Sequence, residues 1–133
     1  MPYTLSAALD SPFATTLAAT REALVQQGFG ILTEIDLAAT LKAKLDVDIE
    51  PYVILGACRP PLAFKAVQAD PSIGALLPCN VVVRATGPHR TVVEAVDPDA
   101  MLAMSESEAL KDVAADARIR LVAALDTLDS SQS

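Results

Sequence analysis

Two cysteines carry the most reactive side chains of this sequence, and each lies where an apolar run meets a proline. Cys58 closes the run that begins at Tyr52 and is followed by Arg59, Pro60 and Pro61, while Cys79 follows Leu76, Leu77 and Pro78 and precedes Asn80 and a valine run. Prolines at 60 and 61 predict a helix start. That places Cys58 beside a helix N-terminus, where unpaired N–H groups and the helix dipole favour a thiolate. Arg59 adds positive charge. Cys58, Arg59, Cys79 and Asn80 therefore form a candidate ligand site, able to hold a phosphate or carboxylate or to activate a thiol for exchange.

Met101 and Met104 bring two thioethers that would join the thiolates in a soft-metal or haem-type centre. Against this, methionines three apart on a helix commonly fill a core, and a free cysteine behaves as a small buried hydrophobe. The single histidine, His89, falls in a turn and has no visible partners for a triad. The cysteine spacing is no CxxC, and the five glycines match no phosphate-loop pattern. The acidic stretch 46–50 is too short for a calcium loop.

These residues must be positioned by a chain of 133 residues, long enough for one self-sufficient core. With 52% hydrophobic and 20% charged residues it is neither disordered nor of low complexity. A net charge of −7 without a Lys/Arg cluster disfavours nucleic acid and anionic membrane surfaces. No apolar run reaches the length of a membrane span, and the N-terminus lacks a secretory pattern, so the expected address is the cytoplasm, with both thiols free.

Alternation over residues 3–9 predicts a first strand. Ser11 is expected to cap a helix running from Pro12 to about Gln27, with Phe13, Leu17, Leu24 and Val25 buried, and Gly28 ending it. Residues 30–35 read as a strand, and Asp36 caps a helix with Leu37, Leu41 and Leu45 on one face. Residues 52–57 suit a central strand. A helix follows from Pro60, stopped at Asp70-Pro71. Residues 79–86 and 90–96 form a hairpin around Gly87-Pro88-His89. Asp97-Pro98 opens a short helix, and the capping box from Ser105 to Glu108 opens a long last helix whose apolar residues, Leu110 to Leu128, recur at threes and fours. One domain over residues 1–128 is expected, with 129–133 a flexible tail. The element order defines an α+β or layered α/β domain with helices on a sheet.

The blocks around Leu55 to Pro60, Ala69 to Pro71, Leu76 to Val83 and Val93 to Pro98 resemble, in order and spacing, the domain-of-unknown-function family 302. The resemblance implies an α+β fold of the TATA-binding-protein-like kind: a curved, mostly antiparallel sheet of about five strands, helices on one side and a long C-terminal helix. It also implies a homodimer, and no activity. Arg59 stands where the family commonly has Asn.

Three functional expectations follow. The first is a cytoplasmic homodimer that binds a small ligand or a soft-metal or haem-type centre near Cys58, Arg59, Cys79 and Asn80. The second is a thiol redox protein using Cys58 and Cys79. The third is an interaction scaffold with structural cysteines.

Overall fold

The computed structural model describes residues 3–105 and 107–130. Five strands, β1 (Thr4–Leu9), β2 (Gly30–Asp36), β3 (Tyr52–Cys58), β4 (Cys79–Gly87) and β5 (Arg90–Val96), form one sheet in the order β1-β5-β4-β3-β2. Every pairing is antiparallel. The fold is α+β, as the element order and the family resemblance led us to expect.

Alternation assigns the two faces of the sheet. Ala7 and Leu9, Val53, Leu55 and Ala57, Val81 and Val83, and Val93 and Ala95 are buried on one face. The helices α1 (Phe13–Gln26) and α5 (Leu110–Ser130) complete that core. A second core gathers α3 (Pro60–Ala69), a 3-10 turn at Pro71–Leu76 and α4 (Pro98–Leu102). Helix α5 links the two: Leu110, Val113, Ala114 and Ala117 serve the second core, and Leu121, Ala124, Leu125 and Leu128 the first. Its period of three and four, read from the sequence, is the buried face. Glu106 of the expected capping box lies outside the described residues, and the helix itself begins at Leu110. Residues 131–133 of the expected tail also lie outside them.

Helix α1 differs from expectation in its cap and in part of its face: Leu24 is buried and Phe13 and Leu17 pack against the core as expected. Pro12, not Ser11, occupies the cap position, without a side-chain bond. The Ser11 carbonyl instead accepts the buried Thr91 hydroxyl at 2.8 Å. Thr16, Thr20, Ala23 and Leu24 are buried while Val25 is exposed. Two threonines tolerate burial because each hydroxyl donates to the carbonyl four residues back, Thr16 to Pro12 at 3.0 Å and Thr20 to Thr16 at 2.7 Å. The helix ends as predicted: Gly28 has a φ of +87°, its N–H donates to Val25 and that of Phe29 to Leu24, a Schellman closure in which Phe29 packs into the same core as Leu24.

Asp36 caps α2 (Leu37–Leu45) through the Ala39 N–H at 2.9 Å. No residue of α2 is buried, although Leu37, Leu41 and Leu45 follow one stripe. Among the described residues, no helix is long and apolar enough to cross a membrane.

Candidate functional site

The apolar run of β3 ends at Cys58 because Arg59 turns the chain into α3 and Pro60 and Pro61 occupy its first two positions. Proline carries no N–H, so the first turn has few donors to offer. Those of Leu62 and Ala63 both go to the Arg59 carbonyl at 3.0 Å. The helix start beside Cys58 thus lacks free N–H groups for an anion or a thiolate. Burial pushes the Cys58 thiol up from its ordinary value.

Cys79 opens β4 opposite Ala57, after a cis Leu77–Pro78 bond. It is buried, and burial, followed by the nearby Cys58 charge, pushes its thiol up to about 11. Both cysteines are free. They border one small, partly open cavity of about 30 Å³, lined by the ends of β3 and β4 and by α3, α4 and α5, with Met101 also on its wall. A space of this size holds one water-sized body. Its other walls, among them Phe29, Leu62, Leu102 and Val113, are apolar.

Arg59 borders the same cavity, but its side chain runs across Gly28, and its guanidinium lies 3.9 Å from Asp116. Asp116 also accepts from Arg120 at 2.7 Å, and Arg120 donates to the Gln27 carbonyl at 3.3 Å. Asp116 and Arg120, spaced i and i+4 on α5, were legible as a helix pair; their link to Arg59 required the tertiary fold.

Asn80 is placed elsewhere. Adjacent to Cys79 in a strand, it points to the opposite face and lines a shallow concavity of about 270 Å³ with Thr4, Glu94 and both tyrosines of the chain, Tyr3 and Tyr52. The structure therefore brings Cys58, Arg59 and Cys79 together and separates Asn80 from them. Met104 is 74% exposed and stands away from the cavity, and His89 is exposed in the hairpin turn. Among the described residues, no group of three or more His, Cys, Asp or Glu side chains is arranged to hold a metal.

An antiparallel sheet with its helix core on one face, and with one half-buried and one buried thiol beside a small, mostly apolar cavity at the ends of β3 and β4, defines a small α+β domain. The chain belongs to the family described as domain of unknown function DUF302, which it matches over residues 5–128. Its structure is similar to the crystal structure of an uncharacterized conserved protein DUF302 from Bacillus stearothermophilus, at a TM-score of 0.87 and 29% identity over 96% of this chain and 99% of that one. The comparison with curated proteins gives no match.

Proposed function

We propose that the chain is a cytoplasmic homodimer that holds one soft monovalent metal ion of the Cu(I) class at the Cys58–Cys79 seam. The observation that carries this reading is the convergence of two free thiols and the Met101 thioether on one cavity of about 30 Å³. Thiolate and thioether ligands select Cu(I) over harder cations, and the cavity matches a single ion rather than a haem macrocycle or a metabolite. Binding would release the thiol protons, since the thiolate is the ligand. A reducing compartment keeps both thiols available.

Titration of the reduced protein with Cu(I) under anaerobic conditions, followed by native mass spectrometry and thiolate-to-metal absorption, tests the proposal. One ion per chain is expected, lost in Cys58→Ala and Cys79→Ala and weakened in Met101→Leu. A bare protein mass at excess Cu(I) would sink it.

A redox role draws no support from thiols that burial holds in their neutral form. A scaffold role draws support from the second sheet face, where Tyr52, Ile54, Val82, Val92 and Val96 are only half-buried. The homodimer reading rests on the same face.

A further inference from the structure

From Gly30 to Tyr52 not one residue is buried, although the segment contains β2, α2 and the connection to β3. Its apolar residues are many: Leu32 is 63% exposed, Leu45 65%, and Ile35, Val47 and Ile49 above two-fifths each. Leu37, Leu41 and Leu45 recur every four residues, the spacing of a helix face made to be covered. Within its own chain the stripe is only thinly covered: Leu37 and Leu41 are half-buried where α2 meets β2 and β3, and Leu45 stands exposed. The second face of the sheet is likewise thinly covered: Tyr52, Ile54, Val82, Val92 and Val96 are half-buried there around the Arg84–Glu94 ion pair, 2.7 Å between Nε and Oε1, among the polar Thr4, Ser6 and Asn80.

We infer that the α2 arm of one copy lies on the half-exposed sheet face of a second copy, and that the exchange is reciprocal. This rests on the homodimer reading and assigns its interface. Each chain carries one arm whose apolar residues are half-buried or exposed and one half-exposed sheet face, which is the self-complementarity that a two-fold interface requires. The size is adequate. Strands about 4.8 Å apart and about 23 Å long give a five-stranded face of about 550 Å² in projection, and the arm adds to it, against the roughly 800 Å² per partner of a standard interface. Charge distinguishes this occupant from others: two chains of −7 repel, so their association strengthens as salt screens them, whereas docking of a basic partner weakens.

Sedimentation velocity of the full chain across concentration and salt, with Leu41→Asp and, as a control on an exposed α1 residue, Val25→Asp, tests the interface. Circular dichroism and thermal melting of each variant establish that it is folded. The wild type and Val25→Asp are expected to dimerise, more tightly at higher salt, and Leu41→Asp to weaken the dimer at least about a hundredfold, because two equivalent contacts are lost together. Two chains with Cys58→Ala and Cys79→Ala, one carrying Leu41→Cys and the other Val82→Cys, should form a mixed disulfide when combined and oxidised. A dimer that persists in Leu41→Asp overturns the assigned interface and leaves the homodimer standing. Loss of the dimer without the mixed disulfide also overturns it, since α2 would then contact some other surface. A wild type that stays monomeric at every concentration and salt overturns the homodimer reading itself, and the arm exchange with it.

Discussion

The side chain of Arg59 lies across Gly28, so that a Cβ on that glycine would stand 3.0 Å from the arginine Nε. The start of α3 is thereby held against the end of α1, whose carbonyl terminus welcomes a cation. Gly28→Ala meets two costs, the left-handed φ of +87° and the displaced arginine. We expect it to lower stability to urea by about 1–2 kcal/mol. In an Arg59→Ala background the loss should shrink to the backbone part; equal losses in both backgrounds would show that the contact contributes nothing.

Burial makes the stability of the protein sensitive to alkali through Cys79. Its folded-state value of about 11 lies above the ordinary 9.0, so the stabilisation is complete below pH 9 and disappears as pH rises from there towards 11. The unfolding free energy should be flat up to about pH 9 and then fall by an amount on the order of 2–3 kcal/mol. In Cys79→Ala that fall should be largely absent. A fall of the same size in the variant would assign it to other groups.

Gly56 is buried in β3, and a Cβ there would meet the Thr33 side chain and come within 2.8 Å of the Pro78 ring. Strand β2 and the proline just before β4 therefore close over the missing side chain of β3. Gly56→Ala should cost about 1–3 kcal/mol in equilibrium unfolding. Adding Thr33→Ala should recover part of the loss, with the proline contact retaining the remainder; a Gly56→Ala chain as stable as the wild type with Thr33 intact would contradict the packing described.

Thr91 ties β5 to the entry of α1. Its hydroxyl, wholly buried, donates to the Ser11 carbonyl at 2.8 Å. Thr91→Val keeps the shape and removes the donor, and a loss of about 1–2 kcal/mol in thermal or urea unfolding is expected. Thr91→Ser, which retains the hydroxyl, should lose less of that bond's contribution; identical behaviour of the two variants would mean that the hydrogen bond is not what matters.

Local rules made much of this architecture legible. The α5 stripe, the Asp36 cap, the Gly28 closure and the Pro60 helix start each depend on residues within a turn of one another, and each was found where the sequence placed it. The buried face of α1 was read in part: Leu24 is buried and Phe13 and Leu17 pack against the core, whereas Thr16 and Thr20 look polar by type, and only their bonds to carbonyls four residues back make them core residues. For the site, the sequence grouped Cys58, Arg59, Cys79 and Asn80 as candidates, and the fold brings the first three to one cavity, whereas Asn80 was grouped with them against the period of two, which sends neighbours in a strand to opposite faces. The absence of donors at the α3 start was also readable, because two prolines bring none. That Arg59 would be engaged by Asp116 was not, since those residues meet only through the fold.

The strand order has a bearing on synthesis. Strand β1 has one neighbour, β5, so Thr4 waits for Val96 and Leu9 for Thr91. Its core face is covered by α5, which is made later still. During translation the N-terminal strand thus emerges with neither its hydrogen-bonding partner nor its roof, while β3, β4 and β5 assemble with near neighbours in sequence. Closing the longest loop comes last, and an incomplete nascent chain leaves an unpaired strand edge open to its surroundings for the whole of that interval.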